Sequence, residues 1–430
     1  MLSALRNAFK VPDLRKKILF TLFILGVYRL GSHLPVPGID HRALQAAIDQ
    51  GRQLGGVAAF LNLFSGGALT RLAIFALGIM PYITSSIIMQ LLAVVIPRLE
   101  EWQKQGEVGH RKITQWTRYL TIVLALIQST ALVFLFHNDE TSPVGVNVIP
   151  NFHPGRVALI VLTLTAGTGL IMWLGELVTQ RGIGNGMSLL IFASIISTLP
   201  AQGGQIYATL RLAGAIFFLG IGLLIVVAIV LVEQGQRRIP VQYAKRVVGR
   251  RMTQGGSTYI PIKVNQAGVI PIIFASSVLY IPVLISSAAP WQGVRDFVER
   301  YFVNPTSVPY IVLYALLILL FTFFYVAITF NPTQQADYIR KYGGFIPGIR
   351  PGRPTEMYLN KVLTRLTVPG SLFLAMVAII PSIVSALTRL PEHTFPFGGT
   401  TILIAVGVAL ETMRQLESQL LMRHYEGFLK

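Results

Sequence analysis

The sequence contains no cysteine among its 430 residues, which excludes disulfides, thiol nucleophiles and thiolate metal sites. It is also poor in acid: 18 Asp and Glu stand against 36 Lys and Arg, and charged residues of both signs make up only 13% of the chain. A soluble domain carries roughly 25%, so there is too little charge to cover a water-facing surface. Histidine is scarce as well. His33, His41, His110, His137, His153, His393 and His424 fall at the ends of apolar runs or between them, and none pair at metal-ligand spacing. HExxH and GxSxG do not occur, and the centres of the apolar runs hold neither Asp nor His. Zinc hydrolysis, GxSxG-type serine chemistry and intramembrane aspartyl proteolysis therefore lack their residues. No catalytic residue, metal site or cofactor is expected. The glycine-rich "RGIGNGMS" (181–188) follows no strand and lacks the GxGxxG spacing, so it reads as a tight turn and not as a phosphate loop.

What the chain does have is apolar length. Apolar residues make up 53% and mean hydropathy is +0.61. Ten runs approach the roughly 20 helical residues that a bilayer core demands, near 18–34, 72–96, 119–137, 157–177, 187–200, 212–232, 267–287, 309–330, 366–388 and 398–418. The fifth is short and is expected to close at Pro200. The N-terminal basic residues precede a long apolar run with no small-residue cleavage site, which reads as a retained first span. Sorting the basic residues into alternating connections puts 27 on one side, eight on the other, and leaves Arg29 within the first run. Lys and Arg concentrate in cytoplasmic connections, so the basic side and both termini read as cytoplasmic.

Ten spans split at a short outer connection give an N-terminal half, 1–200, and a C-terminal half, 201–430. Five is an odd number, so the second half starts from the opposite side and is inverted, a plan shared by many transport proteins. Span parity alone carries this, because no residue-level repeat is evident. Two basic-side connections, 233–266 and 331–365, exceed the usual 12–15 or so residues of a plain connector. The first alternates apolar and basic residues and reads as a β-hairpin or extended arm. The second, "KYGGFIPGIRPGRP", uses Gly and Pro to fix turns that present Arg350 and Arg353.

The ionisable residues nearest the runs are Arg29, Glu176, Glu233 and Glu411, all toward run ends. Ion-coupled carriers keep such groups near the midplane. The interiors here offer Ser85, Ser86, Gln90, Gln128, Thr163, Thr165, Ser276 and Ser277, whose common role is helix packing. One further segment is unusual. A half-length apolar run at 57–64 halts at Ser65-Gly66-Gly67, a few residues before a full-length one. It reads either as a re-entrant piece that fills a packing gap or as a movable stopper.

The stretches "LNLFSGGALTRLAIFALGIMPYI", "RGIGNGMS", "QRRIPVQYAKR", "AGVIPIIFASS" and "KYGGFIPGIRPGRPTEMYL" occur in this order along nearly the whole chain. Together they resemble the SecY family, the central channel subunits of bacterial Sec protein translocases. The resemblance implies an all-α polytopic membrane protein with ten transmembrane helices in two inverted five-helix halves, plus a re-entrant plug half-helix at about 57–67. It implies a channel that passes unfolded secretory proteins across the cytoplasmic membrane and releases membrane segments sideways. The family's plug falls on Phe60, Leu61, Phe64, Ser65, Gly66 and Gly67. Its pore ring falls on Ile79, Ile83, Met187, Ile191, Ile273 and Ile404, with Met187 standing where isoleucine is usual. Its lateral gate lies between the second and seventh spans, at Ser85, Ser86, Gln90, Ser276 and Ser277.

Implied partners are the SecE and SecG small subunits, the SecA motor ATPase, the ribosome through ribosomal RNA, signal sequences of unfolded preproteins, and anionic lipids. Arg237, Arg238, Arg246, Arg250, Arg251 and Arg350 are the expected contacts for the motor and the ribosome, because a guanidinium fork binds phosphate and carboxylate alike. Gly66 and Gly67 are expected to act as a flexible connection that β-branched residues would stiffen. Two other classes compete with the channel: a small-solute secondary transporter with inverted repeats, and a membrane scaffold for other subunits.

Overall fold

In a computed structural model of the chain, residues 9–49, 62, 64–137, 148–149, 152–243, 246–248, 251–253, 257–288, 293, 297–298, 301–302, 307–388 and 399–427 are described. Helix α1 (Pro12–Gly31) is followed by a short α2 (His41–Asp49), then α3 (Met80–Val95), α4 (Pro97–Lys104), α5 (Glu107–His137), α6 (Pro154–Arg181) and α7 (Gly186–Gln234). Strands β1 (Gln236–Tyr243), β2 (Arg246–Val248), β3 (Arg251–Thr253) and β4 (Ser257–Lys263) come next. The chain continues through α8 (Ile270–Ala288), α9 (Val308–Thr329), α10 (Pro332–Lys341), β5 (Gly344–Phe345), α11 (Arg353–Thr388) and α12 (Gly399–Gly427). Each of the ten expected apolar runs is helical over most of its length.

Lipid-facing and core-facing sides separate as a membrane protein requires. In α9, Val308, Val312, Leu316 and Leu320 are exposed at every fourth position, while Tyr314, Ile318 and Phe321 are buried. A helix satisfies its backbone internally, so such an apolar stripe can face hydrocarbon. The main core joins buried residues of α1, α3, α5 to α9, α11 and α12 into one cluster. Helix α3 touches α5, α6 and α8, and α8 in turn touches α5 and α9. The second and seventh spans are therefore neighbours.

Two expectations about spans need correction. The second span does not begin at residue 72: residues 65–79 form a chain of turns, and helix starts only at Met80. Gly66, Gly67 and Gly78 have φ of +65°, +86° and +57°, and Leu72 has +43°. These left-handed backbones cannot continue a helix, and glycine reaches them without strain. Nor does the helix terminate where the fifth span ends near Pro200, since the backbone stays helical from Gly186 to Gln234 with Pro200 inside. Proline removes only one helical bond, and the Ala, Gln and Leu residues that follow favour helix.

A straight helix of those 49 residues would be about 73 Å long at about 1.5 Å per residue. Its two ends nevertheless meet the same turn of α12. A Cβ at Gly184 would lie 3.3 Å from Thr412 Oγ1, and Arg414 Nη2 donates to the Glu233 carbonyl at 2.7 Å. The helical path must double back between these ends. Pro200, Gly203 and Gly204 supply the residues at which sharp bends occur.

At the basic end, β1 pairs antiparallel with β4 from Gln236↔Lys263 to Gln242↔Ser257. Strand β5 adds to the other edge of β1 through Gln242↔Phe345 and Tyr243↔Gly344, giving the order β4-β1-β5. The expected hairpin is present, and the second long connection joins it in one sheet. Ile239, Val241 and Ile262 bury the sheet's inner face against Val326, Phe330, Ile339, Leu359 and Leu363. The alternation of buried Ile239 and Val241 with exposed Arg238 and Gln242 fixes this register.

Candidate functional site

The site is built around the turns at 65–79 and Asn62 before them. Asn62 accepts from both the amide and the hydroxyl of Thr70, at 3.0 and 2.7 Å. Ser65 Oγ donates to the Asn62 carbonyl and accepts from the Leu69 amide. Phe64, Leu69 and Phe75 are buried, and Tyr28 stacks on Phe75 at 5.7 Å between ring centroids. Gly66 packs directly on α7, where a Cβ would lie 3.1 Å from Ser194 Cα. Arg29 of α1 then closes the arrangement, with Nη1 donating to the Gly66 carbonyl at 2.9 Å and to Ser197 Oγ at 2.8 Å. Tyr28 and Ser194 share a buried hydrogen bond between their hydroxyls.

These contacts reverse one expectation. A β-branched residue at Gly66 meets two obstacles: a left-handed backbone and the α7 backbone at 3.1 Å. It would push the turn away from α7 instead of stiffening it there. Gly67 also has a positive φ, but open space surrounds it. Phe60 and Leu61 lie outside the described residues.

Beyond the turns, Ile79, Ile83, Met187, Ile191, Ile273 and Ile404 are all buried, at 1–9% exposure, within the one main core cluster. Ile79 is the last residue before α3 and Met187 stands in the first turn of α7. Asn185 caps that turn by accepting from the Met187 and Ser188 amides, so side-chain chemistry fixes where Met187 is presented. Met187 packs its sulfur against Gly175, whose absent side chain makes the room. A thioether adapts to such a space where a β-branched chain does not.

Along the α3–α8 seam, the hydroxyls turn to their own helices and to other neighbours. Ser85 Oγ donates to the Thr117 carbonyl of α5 at 2.7 Å. Ser276 Oγ donates to the Ile272 carbonyl and meets Tyr314 Oη of α9 at 3.1 Å. Ser277 bonds back to Ile273, and Gln90 Nε2 reaches Ser86 at 3.4 Å within α3. Among the described residues, no hydrogen bond joins these α3 side chains to those of α8, and their contact is one of packing.

On the sheet, Arg237 and Arg238 are exposed, and the Arg238 guanidinium lies 4.9 Å from the Tyr259 ring centroid. Arg350 is exposed between Gly348 and Gly352, both at positive φ, and its carbonyl accepts from Thr355. The backbones of Arg246 and Arg251 belong to the β2–β3 pair; Arg250 lies outside the described residues. Below the sheet, Asn265 donates to the buried Glu233 carboxylate and to the Gly268 carbonyl. Residue types alone did not reveal this node or the partners of Arg29. The available signals were Arg29 and Glu233, ionisable residues toward the ends of apolar runs. No group of three or more potential metal-ligating side chains occurs among the described residues.

Comparison with known proteins places these features in context. The SecY family model matches residues 73–413. The protein translocase subunit SecY of Streptomyces scabiei is 53% identical over 442 residues, covering 100% of both chains. Among solved structures, one described by the way the SecY plug domain stabilises the closed translocation channel and maintains a membrane seal superposes with a TM-score of 0.63. It is 19% identical, over 94% of this chain and 91% of that one. Sec61 in the canine ribosome-channel complex from the endoplasmic reticulum gives 0.58 at 18% identity, over 94% and 91%.

Proposed function

The chain belongs to the SecY family, and from that premise we propose that it is the central subunit of a translocase in the bacterial cytoplasmic membrane, with both termini in the cytoplasm. The protein is a protein-conducting channel, and we read its working parts as follows. Residues 57–67 are the plug. Ile79, Ile83, Met187, Ile191, Ile273 and Ile404 form an apolar constriction. The α3–α8 seam is the lateral exit, and halves 1–200 and 201–430 part about the reversal in α7. The exposed arginines of the sheet and of the 331–365 connection receive a motor ATPase and a ribosome. SecE- and SecG-like small subunits and anionic lipids complete the assembly.

The junction at Met80 carries this reading. A run apolar enough to be helix instead turns through the left-handed Gly78 directly beside Ile79, and Phe64, at the described end of the plug segment, packs into the same buried apolar cluster. A narrow apolar constriction sheds water and so excludes ions. A small-solute carrier has no support: the full-length relatives are protein translocase subunits. The protein reconstituted in liposomes with its small subunits and motor is expected to take up an unfolded presequence protein on ATP addition. Solute flux without such uptake overturns the proposal.

A further inference from the structure

Arg29 is the one basic residue within the first apolar run. It stands in the last turn of α1, where a long cation ordinarily snorkels out to the interface, yet it turns inward to protein partners. Its guanidinium lies between two elements distant in sequence. One donor atom serves the Gly66 carbonyl, 37 residues away, and Ser197 Oγ, 168 residues away. Among the described residues no carboxylate lies within ion-pair reach of it. Its two partners, a backbone carbonyl and a hydroxyl, sit on the plug turn and on the first arm of α7. The neighbouring contacts converge on the same place. Gly66 rests on Ser194 Cα, and Tyr28, one residue before Arg29, bonds to Ser194 Oγ.

We propose that Arg29 is a positioning residue that latches the plug turn to the fifth span, so that opening the channel requires its bonds to Gly66 and Ser197 to break. The proposal rests on reading 57–67 as the plug. The latch suits a reversible stopper. Its acceptors are neutral, so the bonds are strong enough to hold the turn but leave no buried carboxylate stranded when they part. Each hydrogen bond to a charged group is worth roughly a factor of ten in an equilibrium. Arg29 therefore holds the closed state by up to about a hundredfold.

The test uses the full chain with its small subunits in liposomes, reading ion leak through the resting channel and export of a client with a weakened signal. R29M is expected to raise the resting leak at least about tenfold and to export the weakened client. R29K, which keeps the charge but not the fork, should fall between R29M and wild type. S197A removes one acceptor with a helix-compatible side chain and should raise the leak up to about tenfold, which decides the matter should R29M fail to fold. Wild-type leak and stringency in S197A, and in R29M where it folds, overturn the latch. A client with a full-strength signal runs in parallel. If wild-type vesicles do not import it, the channel reading falls and the latch with it; if they do and the variants leak no more than wild type, only the latch falls.

Discussion

At the scale of the residue, ordinary side chains carry the assignments. Ile404 and Ile83 are buried at 1% and 9% exposure, and nothing in their type separates them from any other isoleucine of a span. Their proposed role depends on lacking hydrogen-bonding groups. An asparagine at either position introduces an amide that is unsatisfied while the channel is closed and solvated when it opens, a bias of about 1–3 kcal/mol toward opening. I404N or I83N should therefore conduct ions at rest and pass clients whose signals are too weakly hydrophobic for wild type. A signal acts by contributing free energy to opening, and a smaller gap needs less of it. Single-channel conductance equal to wild type in both variants would remove these residues from the ring. Gly66 shows the opposite kind of residue, one whose type is decisive, because only glycine fits both its backbone angle and its distance from α7.

At the scale of the element, the two long connections act as one body. Because β1 lies between β4 and β5, a partner that seizes either connection pulls on the same strand. That strand leads through Gly235 into α7, and β4 leads through Asn265 into α8. Arg350 stands exposed at the foot of α11, with its backbone tied to Thr355. R350E should thus leave insertion and folding intact while lowering motor-driven export by at least about tenfold, the loss typical of a binding hot spot. Export rates in vesicles, compared with the thermal unfolding of the purified protein, check this. The hairpin was legible from the sequence, because alternation of apolar and polar residues is a local signal. Strand β5 was not, since two residues carry no period and their pairing with β1 spans about a hundred positions. The 65–79 turns were hidden for a related reason: from Leu72 to Ile79 their residues are as apolar as those of the helix they precede, and only Gly78 interrupts that stretch.

At the scale of the whole molecule, span length made the helical architecture readable, because it follows from the bilayer and not from contacts between helices. What brings the site together was not readable, since Arg29, Gly66 and Ser197 meet only after three separate segments pack. The same packing makes α3 and α8 neighbours, and a chain with no native cysteine lets this seam be probed directly. In S86C/S277C, a short bifunctional linker should block release of a signal segment into lipid, while a long one should permit it. Equal block by both would show that segments do not leave there. One mechanical consequence comes from the end of α3. There the axis turns by 101° into α4, whose Trp102 has Arg98 and Lys112 over its ring at 5.8 and 5.7 Å. Aromatic rings and cations of this kind anchor at the headgroup layer. A rod with a foot planted flat on a surface cannot slide along its own length. If the α3–α8 seam is the exit proposed above, a foot of this kind opposes a piston stroke of the second span and favours rotation about the foot, so the aperture would widen like a swung door and not like a lifted one.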